Sequence, residues 1–134
     1  MEVEVDGHTY KIGTIDARSQ FHIARRLAPI MGRIAPLANL GGEAVLPALA
    51  SAVGELSDDD ADYVLFGALK HVSRKQEKGL GWGPVATGNT LMYSDINMLT
   101  MLKLAWEALS FNMSGFFSAL PSVLKDESQP QPVQ

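Results

Sequence analysis

Apolar and polar positions alternate at the start of the chain, and apolar positions then recur at helical spacing over most of its length. The first thirteen residues alternate on either side of Asp6-Gly7. An Asp-Gly pair between two alternating runs is typical of a hairpin with a type I′ turn, because glycine tolerates the positive φ that the turn requires. We therefore expect a β-hairpin over residues 1–13, packed on an apolar surface because an isolated hairpin is only marginally stable.

Helical periodicity extends over residues 16–78. Asp16 is a suitable N-cap for a helix that runs to about Ile34. Pro29 lies inside this helix and predicts a kink or a break, since proline removes a backbone donor. A shorter helix is expected to begin near Glu43, after a pair of glycines.

The next helix has the clearest start signal in the chain. Ser57 is followed three residues later by Asp60, which approximates a capping box with aspartate in place of glutamate. The acidic run Asp58–Asp60 meets the positive end of the helix dipole, and basic residues at 70–78 meet the negative end. We therefore expect the helix to finish in this basic segment.

The whole pattern predicts one mainly helical domain over residues 1–120. It has about four helices, the N-terminal hairpin, and a glycine-rich loop over 79–93 before the last long helix. Residues 94–120 hold that helix and a turn, and residues 121–134 read as a flexible polar tail.

The last helix is unusually apolar. Ser94 or Asp95 is its expected cap, and Gly115 its expected end. Its polar residues form a single narrow stripe, so the helix is expected to be mostly buried, either in its own fold or in an assembly. These polar residues are Thr100, Lys103, Glu107, Ser110 and Ser114.

Two interpretations of this helix remain open: an ordinary core helix, or a surface that binds another copy or a client. Methionines and aromatic residues favour the second, because flexible apolar side chains adapt to several partner shapes. The candidate partner-binding residues are Trp82, Met98, Met101, Trp106, Phe111, Met113, Phe116, Phe117, Arg18 and Arg26.

Composition narrows the classes of function. The chain has 134 residues, 46% of them hydrophobic, and a net charge of −4, which disfavours binding to phosphate backbones. It contains no cysteine, so disulfides, thiolate catalysis and cysteine-based zinc sites are excluded. No apolar run reaches the roughly 20 residues of a membrane span, and the acidic N-terminus does not resemble a signal peptide. We expect a protein of the cytoplasm.

No motif indicates an enzyme, a cofactor or a metal. Asp58, Asp60 and Asp62 alternate like calcium ligands, but Tyr63 and Leu69 stand where a calcium loop needs glycine and glutamate. The glycine-rich loop lacks the lysine and the preceding strand of a phosphate-binding loop. The three histidines show no metal-ligand spacing. The simpler interpretations are helix capping for the aspartates, a connector for the glycine-rich loop and surface positions for the histidines.

A basic stripe on the first helix favours an alternative partner. Arg18, His22, Arg26 and Arg33 share one face. They suit nucleic acid, a solvated face, ion pairs with residues 58–62, or pairs with those residues in a second copy. A DNA-associated accessory protein is therefore the alternative function.

The chain also resembles a known family. The succession LPALASAVGELSDDDADYVLFGAL (46–69), the loop GWGPV, the segment MYSDINMLTMLKLAWEALSFNMSGFF (92–117) and the stretch FHIARRLAPIM resemble tail assembly chaperones of tailed bacteriophages and prophages. The resemblance implies a non-enzymatic role in the cytoplasm of the bacterial host. Such chaperones are thought to coat the tape-measure protein while the tail tube polymerises and then to leave. The tail tube protein and a second copy are further expected partners.

Overall fold

A computed structural model describes residues 1–34, 36–37 and 44–128, and over 114–128 it describes the backbone alone. The helices are α1 (Ala17–Leu27), α2 (Met31–Ile34), α3 (Val45–Val53), α4 (Asp58–Leu69) and α5 (Met98–Ser128). The strands are β1 (Glu2–Val5), β2 (His8–Ile12), β3 (Val72–Lys75), β4 (Trp82–Pro84), β5 (Ala86–Thr87) and β6 (Thr90–Leu91).

The predicted mainly helical fold class is wrong, because the protein is a mixed α/β fold. Strands β1 to β4 form an antiparallel sheet in chain order, and β5 pairs with β6 in a second, two-stranded sheet. The N-terminal hairpin is therefore the first half of a larger sheet. Pairing with β3 supplies support that a lone hairpin lacks.

The expected hairpin is confirmed in detail. Val5 pairs with His8, which leaves Asp6 and Gly7 as the two-residue loop. Their φ angles of 52° and 80° are both positive, as a type I′ turn requires.

Strand β3 occupies the segment that was expected to end the Ser57 helix. Helix α4 ends at Leu69, and the basic residues of Val72–Lys75 lie in a strand instead. Ile12 pairs with Val72, and both are almost fully buried. The fit of Val72 to a half-buried pleated surface outweighs the dipole argument, which is worth a few tenths to about 1 kcal/mol.

Several helix boundaries follow the sequence. The Asp16 side chain accepts a hydrogen bond from the Ser19 amide at 3.1 Å, and Ser57 caps α4 through the Asp60 amide at 3.1 Å. Pro29 lies in a 3₁₀ turn, Ala28–Ile30, that separates α1 from α2.

The last helix differs from expectation at both ends. Its first turn is capped by Asn97, whose side chain accepts from the Thr100 amide at 2.9 Å, and not by Ser94 or Asp95. The helix also continues past Gly115 to Ser128. A single glycine costs only about 1 kcal/mol in a helix interior, which does not force an end.

One core joins these elements. The inner sheet face, α4 and the middle of α5 supply fully buried side chains, and α5 packs against α3, α4, β1 and β2. Helices α1 and α2 and the β2–α1 connection add further buried side chains, and the largest of the whole core are Tyr10, Ile12, Ile15, Ile23, Leu27, Ile34, Leu69 and Leu104.

Candidate functional site

The first turn of α5 carries two long apolar side chains into solvent. Met98 is 65% exposed and Leu99 is 55% exposed. Two neighbouring exposed apolar side chains stand out on a helix whose middle is buried.

The hairpin turn fixes the direction of these side chains. The Thr100 hydroxyl, which is buried, donates a hydrogen bond to the carboxylate of Asp6. Asn97 holds the same turn through the Thr100 amide. With Thr100 turned toward the hairpin, the helical period places Met98 on the opposite side of α5 and leaves Leu99 at its flank, beside the hairpin.

A shallow depression of about 120 Å³ lies beside Leu99. Val5, Leu46 and Leu99 supply its apolar wall. Asp6 and Lys103 supply charge of opposite sign at its edge. The depression can therefore hold an apolar side chain with a polar group at its margin.

Helix α3 extends this apolar region. Its nine residues, VLPALASAV, include no charge, and its exposed positions include Pro47, Ala48 and Ala50. Because Leu46 and Leu99 line the same depression, the start of α3 adjoins the first turn of α5. We call Pro47, Ala48, Ala50, Met98 and Leu99 the α3–α5 surface.

The candidate residues of the last helix separate into distinct environments. Met98 and Phe111 are exposed, the latter by 43%, and Met101 is half-buried. Trp106 and Met113 are 5% and 3% exposed, so they belong to the core and contribute nothing to this surface.

The other candidates do not join the α3–α5 surface. Phe116 and Phe117 lie in the part of α5 where only the backbone is described. Trp82 is half-buried on the outer sheet face, with the Lys11 ammonium 5.0 Å from its ring centroid. Arg18 is exposed on α1.

The basic stripe is largely engaged within the chain. Arg26 donates to Asp60 at 2.7 Å, and its guanidinium lies 4.0 Å from the centroid of the Tyr63 ring. Arg33 pairs with Glu55. The expected pairing with the acidic turn is thus present for Arg26. Two of the three arginines of the stripe are therefore engaged within the chain, which disfavours DNA binding through this face.

A polar cluster joins β3 to the segment before α5. The Arg74 guanidinium donates to Asp95 at 2.8 Å, stacks 4.3 Å from the Tyr93 ring centroid and lies 3.1 Å from His8 Nε2. The hydrogen bond from Arg74 lowers the pKa of Asp95, and burial raises the pKa of Tyr10 beside it. This cluster orients the start of α5, and the sequence analysis missed it.

Metal-ligand clusters and membrane-spanning helices are both absent from the described residues. It contains no cluster of three histidine or acidic side chains suited to a metal ion. Among the described helices, none combines the length and the apolar character of a bilayer span. Asp58 and Asp60 lie in the first turn of a capped helix, as the simpler interpretation expected.

An exposed apolar patch of this kind is typical of a surface that binds other proteins. A family model described as phage tail assembly chaperone protein, TAC, matches residues 6–125. This chain therefore belongs to the phage tail assembly chaperone family. No curated protein and no solved structure gave a significant match.

Proposed function

We propose that this chaperone binds the tape-measure protein of its phage through the α3–α5 surface and keeps it soluble until the tail tube encloses it. The exposure of Met98 and Leu99 beside an uncharged helix face carries the proposal. We expect the tape-measure protein to be long and helical, so its apolar helix faces need to be covered before assembly.

The chemistry of the surface suits a helix laid on its side. The small exposed residues of α3 allow close approach of another backbone, and the longer side chains of α5 insert beside it. An amphipathic helix with anchors at positions i, i+3 or i+4, and i+7 fits such a surface. The charges of Asp6 and Lys103 at the margin suit the polar edge of that helix.

We expect the chaperone to bind its client with moderate affinity, because the client must be released when the tail tube encloses it. Burying a leucine or methionine side chain contributes about 1.5–3 kcal/mol, at about 25 cal/mol per Å² of apolar surface. Association costs at least about 4 kcal/mol before any net binding is gained. The two exposed side chains alone nearly balance that cost, so one site holds a client weakly and many copies along a long client hold it well.

The role is non-enzymatic and belongs in the cytoplasm of the bacterial host. The chaperone acts before the tail is complete and is absent from the finished virion. The tail tube protein is a second expected partner, because it replaces the chaperone on the client.

Co-expression with the tape-measure protein tests this proposal. We expect the wild-type chaperone to raise the soluble yield of the client, and Leu99→Glu to abolish most of that gain. The substituted carboxylate removes one apolar contact and requires desolvation on binding, which weakens affinity by about tenfold or more.

Leu80→Glu is the matched control. Leu80 is 71% exposed, lies in the loop between β3 and β4, and does not line the depression beside Leu99. It should solubilise the client as well as wild type does. Equal solubilisation by wild type, Leu99→Glu and Leu80→Glu would show that the α3–α5 surface does not bind the client. If wild type gives no gain in soluble client, the tape-measure protein is not the client.

A further inference from the structure

A second exposed face lies on α1 and is separate from the α3–α5 surface. Arg18, Phe21 and Arg25 follow one another at spacings of three and four, so they share one side of the helix. The Phe21 side chain is 62% exposed. Among the described residues, neither Arg18 nor Arg25 has a hydrogen-bond or ion-pair partner. An exposed aromatic ring between two unpaired arginines is typical of an interface.

Helix α4, which packs against α1, presents the complementary charge. Asp59 and Asp62 are exposed and, within the described chain, unpaired. Tyr63 stands next to them and is 38% exposed. The two helices therefore place a basic and an acidic exposed row side by side.

A pocket of about 200 Å³ separates these two rows. Ile23, Tyr63 and Phe66 form its apolar lining, and Lys70 lies at one end. Gly67 forms part of its floor, where an added Cβ would stand 3.4 Å from Ile23. The opening suits one apolar side chain from outside.

Contacts between α1 and α4 show which residues of the two helices lie at the same level, that is, at the same height along the groove between them. Arg26 contacts Asp60 at one end of the pair. Ser19 and Lys70 line the pocket at the other end. The helices are therefore antiparallel, and Arg25 lies near the level of Asp62.

We propose that a second copy of this chain docks on this face through a two-fold axis that runs along the α1–α4 groove. Such an axis places α1 of each copy over α4 of the other. It leaves the position of every residue along the groove unchanged, so residues at the same height on α1 and α4 of one copy face each other between copies. Phe21 then lies against α4 of the partner copy, at the level of that copy's pocket along the helix axis, because it stands between the pocket-lining residues Ser19 and Ile23 in the chain. Arg25 meets Asp62, and the symmetry forms this pair twice.

The same geometry explains why the pair is Arg25–Asp62 and not one made by Arg18. Arg18 lies near the level of Lys70, so its charge meets a like charge at the edge of the interface. Two central attractive pairs and two peripheral repulsive ones favour the dimer only when Phe21 is also buried. Charge complementarity gives the orientation, and the aromatic side chain gives most of the affinity.

A charge-swap experiment tests the dimer directly. Sedimentation equilibrium should show a wild-type dimer, and Arg25→Asp or Asp62→Arg should each raise the dissociation constant by about tenfold or more, because each creates two like-charge contacts. An equimolar mixture of the two variants should dimerise again, since both of its contacts pair opposite charges. Recovery in the mixture also shows that each variant is folded.

A monomeric wild type at the highest concentration reached would overturn the proposal, as would a mixture that stays monomeric when both variants alone are monomers. Phe21→Ser should weaken the dimer without changing which charges pair. If wild type is monomeric and Arg25→Asp loses client binding instead, this face belongs to the client and the second copy is excluded.

Discussion

Replacing Asn112 by alanine should destabilise the fold measurably, because this side chain joins the end of the sheet to α5. Its Oδ1 atom accepts from the Ile15 amide at 2.7 Å. Its Nδ2 atom donates to the Gly13 carbonyl at 3.0 Å and to the Ala108 carbonyl at 2.9 Å. Gly13 and Ile15 belong to the connection between β2 and α1, so one amide group holds that connection against the last helix.

The magnitude follows from the groups left without partners. Ala108 lies one turn earlier in the same helix, so losing its extra bond costs little. The Gly13 carbonyl and the Ile15 amide each lose a partner at a half-buried position, at about 1–1.5 kcal/mol apiece, the low end of the range for buried groups. Alanine regains about 0.5 kcal/mol through its higher helix propensity. The expected net loss is about 2 kcal/mol.

Urea unfolding of the wild type and two variants measures this loss. Ser110→Ala is the matched control on the same helix, since the Ser110 hydroxyl is buried and has no partner in the described structure. Removing it should leave stability unchanged or raise it slightly. Asn112→Asp should keep the Ile15 bond and place a carboxylate oxygen against the Gly13 carbonyl, so it should be at least as damaging as alanine. A loss below about 0.5 kcal/mol for Asn112→Ala would refute the reasoning.

Two further predictions concern the core and the polar cluster. Trp106→Ala should lower the free energy of unfolding by about 3–5 kcal/mol, because a large buried side chain leaves a cavity; a cooperative, nearly unchanged unfolding curve would contradict its burial. Asp95→Asn should reduce the loss of stability in acid, measured by urea unfolding at a series of pH values. The hydrogen bond from Arg74 lowers the folded pKa of Asp95. Its stabilisation is therefore present above the unfolded pKa of about 3.9 and disappears as pH falls through the folded value. An acid limb identical in both proteins would contradict this role.

Local signals in the sequence predicted local structure well. The Asp6-Gly7 turn, the Asp16 and Ser57 caps and the break at Pro29 each depend on a few neighbouring residues. The interactions that form each of them lie within about one turn of the backbone. These features were confirmed for that reason.

Strand β3 could not be recognised in the same way. Its four residues, VSRK, contain a single β-branched residue and two basic residues that also suit a helix end. Of its two partners, β2 lies far earlier in the chain and β4 follows shortly after it. Non-local pairing decides the structure of so short a segment, and the fold-class error follows from it.

The exposure of the candidate binding residues was predicted only in part. An apolar helix indicates burial, but periodicity does not say whether its own fold or a partner covers a given side. Met98 proved exposed, whereas Trp106 proved buried by the same fold. The uncharged sequence of α3 was a further signal for an exposed apolar surface.

Site-specific photo-crosslinking tests the central claim most directly. A photoreactive phenylalanine derivative introduced in place of Leu99, of Ala48 on the α3–α5 surface, or of Leu80 outside it would be activated in cells that make the tape-measure protein. The account predicts covalent adducts with that protein from positions 99 and 48 and none above background from position 80. Adducts from position 80 alone, or from none of the three while the client stays soluble, would contradict it.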